Sequence, residues 1–207
     1  MLIDPAEIAI IAKARQANVR DPKRSRQHFV AIFEDFLSGV PFTGQTVLDI
    51  GPGQYDFGEM ARARGASVIG IDRDPAVIEL GRYKRFEVIE ADLRDFHRGR
   101  LAAPVHGIFC KYSLNALWFH NDERGLRAHT QAFIDALRLD GWAWIAPWNR
   151  SPKALALSAA EEEAVLDVQR DCFMAAGFDF RQLSEAETRR YGVHGATADN
   201  ALFTRGL

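Results

Sequence analysis

From Thr46 onward the chain alternates short apolar runs with amphipathic stretches. The runs Thr46–Ile50, Ser67–Ile71, Phe86–Glu90, Val105–Cys110 and Trp142–Ala146 are rich in β-branched and aromatic residues and read as buried strands. Helical stretches separate them: Asp56–Arg64 closed by Gly65, Pro75–Leu80 closed by Gly81, and Glu123–Arg138 closed near Asp140 and Gly141. Strands alternating with helices require right-handed crossovers, and these build a parallel sheet.

Both ends depart from this alternation. Asp4-Pro5 and Asp21-Pro22 each pair an N-cap acid with a proline at the first helical position, where its missing N–H costs nothing. The first opens a helix to about residue 18 with Ile8, Ile11 and Ala12 on one face. The second opens a helix to about Ser38-Gly39, carrying Phe29, Ile32, Phe33, Phe36 and Leu37 at helical spacing. Near the other end, Ser158-Ala-Ala-Glu161 has the spacing of a capping box ahead of a helix to about Ala176, and the acids Glu161–Glu163 offset its dipole. Phe178–Leu183 and Asn200–Arg205 follow as two strands that can pair antiparallel. The expected fold is α/β: a doubly wound, mostly parallel seven-stranded sheet with an antiparallel last strand, preceded by two N-terminal helices.

Composition narrows the function. A length of 207 residues suits one domain with a well-covered core, and 47% hydrophobic with 26% charged residues is ordinary for a globular protein. The formal net charge of −2 offers no bulk attraction to nucleic acid or anionic lipid, so neither is an expected partner. No apolar run approaches the ~18–20 residues of a membrane span. MLIDPAEIAIIAKARQ carries acids within its apolar stretch and no basic leader, and Cys110 and Cys172 have no metal-like or redox-like spacing. A cytoplasmic location is expected.

The stretch VLDIGPGQYDFG, residues 47–58, runs from a buried strand into a glycine turn. In a doubly wound sheet, ligands sit at such carboxyl ends near the switch in strand order. Gly51 and Gly53 allow a tight turn and a close approach to a ligand, and Asp72 ends the next strand, placed to accept from ribose hydroxyls. A dinucleotide fingerprint would put its third glycine at Asp56, an acid that repels a pyrophosphate, and no G-x-x-x-x-G-K-[ST] run exists. Asp49, two residues before Gly51, suits an ammonium or sulfonium better than a phosphate.

These residues resemble the class I S-adenosylmethionine-dependent methyltransferases from about residue 44 to the end. Asp49-Ile-Gly51-Pro-Gly53-Gln-Tyr55 is similar to the family's (D/E)-x-G-x-G-x-G, with Tyr55 at the third glycine. ARARGASVIGID, IEADLRDF, IFCKYSLNALWF and LDGWAWIAPWN resemble the later motifs in order. The resemblance implies a Rossmann-like S-adenosylmethionine-binding domain over 44–207, under a helical lid over 1–43. It implies cofactor contacts from Asp49, Gly51, Gly53, Tyr55, Asp72, Arg73, Asp92, Leu93 and Lys111, with S-adenosylhomocysteine as product. Asp92 and the backbone of Leu93 would meet the adenine edge, and Tyr55 would border the methionine end. His106 stands where the family often has an acid.

The implied reaction is methyl transfer to a small-molecule acceptor, O- or N-methylation being open, with no metal because Asp, Asn and His show no divalent-metal spacing. Acceptor contacts are expected from Asn115, Trp118, Trp148 and Asn149, and His120 and Tyr112 are the candidate bases for a hydroxyl acceptor. Each has a structural alternative: His120 as a surface or capping residue near a helix start, and Trp148, like Trp142 and Trp144, as core. Arg15, Arg20, Lys23, Arg24 and Arg26 read as a solvated helix face, and His28 fits either pocket or core. The alternatives to a small-molecule enzyme are methylation of a protein or other macromolecule, or cofactor binding without catalysis. The KYSLN end of the fourth strand, lacking the (D/N/S)-P-P-(Y/F) turn, argues against nucleic acid.

Overall fold

A computed structural model of the chain describes residues 9–10, 12–13, 22–113, 123–148, 158–193 and 200–207. Seven strands, β1 (Thr46–Ile50), β2 (Ser67–Asp72), β3 (Glu87–Glu90), β4 (Val105–Lys111), β5 (Leu137–Trp148), β6 (Asp179–Gln182) and β7 (Ala201–Arg205), form one sheet in the order β3-β2-β1-β4-β5-β7-β6. β7 runs antiparallel to β5 and β6, while β3, β2, β1, β4 and β5 are mutually parallel. The chain builds outward from β1 through β2 to β3, then returns to add β4 on the opposite side of β1. That reversal makes the crevice between the carboxyl ends of β1 and β4 the place where a doubly wound sheet holds a ligand.

The central strands are covered on both faces, which is why they read as nearly continuous apolar runs. Leu48 and Ile50 of β1 belong to a core with Leu126, Phe133, Leu166 and Phe173, contributed by the helices Glu123–Ala136 and Ala159–Ala175. Val47, one pleat away, joins the opposite core with Phe33, Phe57, Leu80 and Trp144, covered by the helices Pro22–Asp35, Asp56–Arg62 and Pro75–Tyr83. By the same alternation Asp49 points to this second face.

Several expectations change in detail. Gly81 lies inside the helix Pro75–Tyr83 instead of ending it. A Cβ there would fall 2.1 Å from the Tyr55 hydroxyl and 2.7 Å from Val88 Cγ2, so packing demands the glycine, not a helix stop. Arg138, expected to end a helix, is already in β5. The stretch between β6 and β7, read as a plain connection, contains a helix at Glu185–Tyr191 whose Ser184 and Glu187 form a capping box. That helix anchors the helix Pro22–Asp35: Asp35 accepts from Arg190 at 2.6 and 2.8 Å and from the Tyr191 hydroxyl at 2.9 Å. The segment expected as a lid is, from Ala31 to Phe42, part of the second core. The proposed helix start at Asp4-Pro5 lies outside the described residues, as do Arg15, Arg20 and Asp21.

Candidate functional site

The turn after β1 is built by three consecutive alternate residues in the left-handed region: Gly51 at φ +66, Gly53 at +55 and Tyr55 at +64. Gly51 N–H donates to Ile71 O at 2.9 Å, fastening the turn to β2. A Cβ on Gly51 would fall 1.6 Å from Ser113 Oγ, so only glycine lets the turn pass the segment leaving β4. Tyr55 pays the left-handed strain with its side chain. Its ring is fully buried, stacked on Phe86 at 4.8 Å and lodged where Cβ atoms of Gly70 and Gly81 would be. The phenol therefore points into the core beneath the turn, not to the pocket edge where it was expected, and its hydroxyl has no hydrogen-bond partner.

The cavity at this turn is lined by Asp49, Gly51, Gly53, Asp56, Asp72, Lys111, Tyr112 and Ser113, with Phe29 of the helix Pro22–Asp35 over it. Asp49 is 2% exposed, and its Oδ2 has no hydrogen-bond partner. Its neighbours in the sheet are Gly70 and Phe109, and Phe109 stacks on Phe57 at 3.8 Å. Burial in this apolar setting lifts the Asp49 carboxyl well above the usual carboxylate range, and the charges of Asp72 and Asp56 push it the same way. Burial also raises Asp56, against the attraction of Lys84, and raises Asp72, against the backbone N–H groups it accepts from. Those donors are Arg73 N at 2.8 Å and Asp74 N at 2.9 Å, both to Oδ1, which orients Oδ2 of Asp72 for another partner.

Lys111, the last residue of β4, supplies the positive charge. It is 8% exposed, with its ammonium 4.6 Å from the centre of the Phe29 ring. Tyr112 follows at φ +77, its N–H donating to Ala146 O at 3.0 Å and its hydroxyl to Gly192 O at 2.6 Å. As a candidate base it is thus already committed as a donor to the backbone of the Glu185–Tyr191 helix end. His28 lies against the same Gly192, where a Cβ would fall 1.9 Å from its Nδ1.

The remaining expected contacts are placed as follows. Asp92 caps the short turn Leu93–Asp95, and its carboxylate accepts from Arg94 N and Nε at 3.0 Å, Arg94 Nη2 at 2.8 Å and Arg73 Nη1 at 2.9 Å. Hydrogen bonds from Arg94 hold its carboxyl well below the usual range, opposed by slight burial. Leu93 is buried in the first core. Trp148, expected against the acceptor, instead packs edge-on to Phe180 and Phe203, both at 5.4 Å, because β5 extends far enough to bury it between β6 and β7. His106 sits at the opposite end of the sheet, accepting from Thr46 N at 3.0 Å. Asn115, Trp118, His120 and Asn149 lie outside the described residues. Among the described residues, no three His, Cys, Asp or Glu side chains are grouped as a metal ion would need, and no helix is long and apolar enough to cross a membrane.

Sequence reasoning passed over Asp56, Ser113 and Phe29 as pocket residues. Asp56 carries a signal, an acid where a dinucleotide fingerprint has its third glycine. Phe29 reads only as one more apolar position on a helix face, and nothing local distinguishes it.

No protein-family model matches the chain, and no curated protein sequence is significantly similar to it. Solved structures do match. DesVI of Streptomyces venezuelae is 15% identical over 99% of this chain and 98% of its own, with a TM-score of 0.59. The magnesium protoporphyrin IX methyltransferase of Synechocystis, crystallised with bound S-adenosylmethionine, is 12% identical over 97% of this chain and 90% of its own, with a TM-score of 0.58. CalS10, an amino pentose methyltransferase from Micromonospora echinaspora also solved with S-adenosylmethionine, is 15% identical over 99% and 97%, with a TM-score of 0.56. The chain has the Rossmann-like fold of the class I S-adenosylmethionine-dependent methyltransferases.

Proposed function

Starting from that shared fold, we propose that the protein binds S-adenosylmethionine at the β1–β4 crevice and transfers its methyl group to a small molecule in the cytoplasm. One observation carries the reading: the buried, unpartnered Asp49 carboxylate oxygen opens onto the same cavity as the left-handed Gly51–Gly53 turn and Asp72. An orphan acid in an apolar wall calls for a donor or cation, and a phosphate would meet three carboxylates there.

When bound, such a cofactor supplies an activated methyl group. The chain's residues bind, orient and shield it. Asp72, its Oδ1 held by two backbone N–H groups, would accept from ribose hydroxyls, while Gly51 and Gly53 let the backbone approach without side-chain obstruction. Carboxylates are kept to the amino and ribose ends, because an acid in contact with the sulfonium would stabilise a charge that the reaction removes. The helix Pro22–Asp35 covers the cavity through Phe29 and keeps water from it, the lid role proposed for residues 1–43. The acceptor approaches past Tyr112, with Asn115, Trp118 and His120 kept as its proposed contacts.

The test is thermal unfolding of the protein and of Asp72→Ala with S-adenosylhomocysteine, S-adenosylmethionine and NAD added separately. A ligand at a hundred times its dissociation constant adds about 2.7 kcal/mol, a rise of roughly 5–10 °C for a chain of this size. Adenosyl ligands should raise the midpoint of the wild type and do so much less for Asp72→Ala. Stabilisation by NAD alone, or by none of the three, overturns the reading.

A further inference from the structure

Three contacts from separate parts of the chain meet on Arg190, Tyr191 and Gly192, the end and C-cap of the helix Glu185–Tyr191. The first comes from the end of the covering helix Pro22–Asp35. That helix finishes on Glu34 and Asp35 with no basic residue in its last turn, so two negative charges sit at its negative dipole end. The compensating cation arrives from outside. Arg190 meets Asp35 through Nε at 2.6 Å and Nη2 at 2.8 Å and lies 3.5 Å from Glu34, while the Tyr191 hydroxyl donates to Asp35 at 2.9 Å. A forked guanidinium–carboxylate pair fixes orientation as well as distance.

Two turns earlier on the same helix, His28 fills the space beside Gly192, where a Cβ would fall 1.9 Å from its Nδ1. Gly192 also holds the left-handed conformation, φ +58, that caps its helix. The third contact is the Tyr112 hydroxyl, which donates to Gly192 O at 2.6 Å. Tyr112 is itself left-handed at φ +77, directly after Lys111 on the cavity wall, and such strain persists only where the surroundings hold it. Phe29, next to His28, lines the same cavity with its ring 6.0 Å from that of Phe109. A shift of residues 190–192 therefore carries Phe29 with it through His28 and Asp35, and Tyr112 through the Gly192 carbonyl. From this we infer that Arg190, Tyr191 and Gly192 are positioning residues: they seat the covering helix and the exit of β4 on one support, so the cover and the acceptor-side wall are held or released together. The inference rests on the methyl-transfer reading for what is covered, and adds to it that shielding the cofactor and shaping the acceptor side are one event.

Hydrogen exchange of the ligand-free protein, read by mass spectrometry, tests the coupling with Tyr112→Phe and Arg190→Leu. A shared support requires reciprocity. Tyr112→Phe should speed exchange over residues 26–35 as well as 109–113, and Arg190→Leu over 109–113 as well as 26–35. The expected rise in the distant segment is about fivefold, the scale of one lost hydrogen bond. Asp35→Ala breaks the Arg190 pair from the other side and should give the same pattern as Arg190→Leu. A second arm follows release of radiolabelled S-adenosylhomocysteine into excess unlabelled ligand. Each single variant should release it about fivefold faster than the wild type, and the Tyr112→Phe/Arg190→Leu double variant no faster than the faster single one, because the support is already lost. Exchange that rises only in the segment beside each substitution means merely local packing and overturns the inference, as do release rates that multiply in the double variant. A wild type that binds no adenosyl ligand overturns the cofactor reading, and the exchange pattern then decides alone whether the support exists.

Discussion

Tyr55 occupies the position of the turn's third glycine, and its consequences can be worked through. The residue is strained at φ +64, yet its ring is fully buried on Phe86 and its hydroxyl has no partner. Leaving a buried hydroxyl unsatisfied costs about 1–3 kcal/mol. Removing that one oxygen opens a void of roughly 10–15 Å³, worth about 0.3 kcal/mol. Tyr55→Phe should therefore stabilise the protein by about 1 kcal/mol, raising the unfolding midpoint by roughly 2–4 °C. Tyr55→Gly should do the opposite. It relieves about 1–2 kcal/mol of left-handed strain but forfeits a buried aromatic side chain worth about 3–5 kcal/mol, a net loss of about 2–3 kcal/mol. Paired denaturant titrations of the two variants, read at constant slope, measure both. A Tyr55→Phe protein no more stable than the wild type would show that the hydroxyl is satisfied. A Tyr55→Gly protein of wild-type stability would show that the ring is not part of the core.

Three other outcomes follow from the same geometry. Ligand ammonium should draw the raised Asp49 carboxyl down, so S-adenosylhomocysteine binding releases a proton and tightens as pH rises through the free-state titration of Asp49. Titrations in two buffers of different ionisation enthalpy detect it, and zero proton release argues against Asp49 as the partner. Because Arg73 and Arg94 already fill the acceptor sites of Asp92, Asp92→Asn should change the preference for S-adenosylhomocysteine over its inosine analogue by less than about twofold; a collapse of about tenfold, the scale of one lost hydrogen bond, would make Asp92 an adenine reader. Asp35 is held below its ordinary value by Arg190, so its contribution is full above the ordinary carboxylate titration and shrinks as pH falls below it. Asp35→Ala should accordingly cost about 1 kcal/mol near neutrality and progressively less in acid, and a constant difference down to low pH would exclude the ion pair as the cause.

Much of the architecture was legible before any coordinates. β1 has the bounds expected, and the other parallel strands differ by a residue or two at their ends, except β5, which runs longer both ways. Strands buried on both faces must be apolar throughout, and the residues that turn the chain between them are few in kind. The capping box at Ser158 was equally readable, since it needs only residues three apart. The helix Glu185–Tyr191 was missed although Ser184 and Glu187 carry the same signal. It is short and buries only Thr188 and Tyr191, so no apolar period announces it.

What the sequence determined by itself, then, is the set of local elements, their alternation and the glycine turn at the end of β1. These depend on backbone hydrogen bonding and burial period, which act over a few residues. The tertiary structure alone decided which polar groups share a cavity and which are spent elsewhere. Asp92 meets Arg73 across nineteen positions, and Phe29 meets Lys111 because a helix before the sheet folds over its fourth strand. Gly81 stays glycine because a tyrosine ring from another turn fills its side-chain space. Such pairings arise from strand order and close packing, and charge in a cavity is set by whatever that packing brings together.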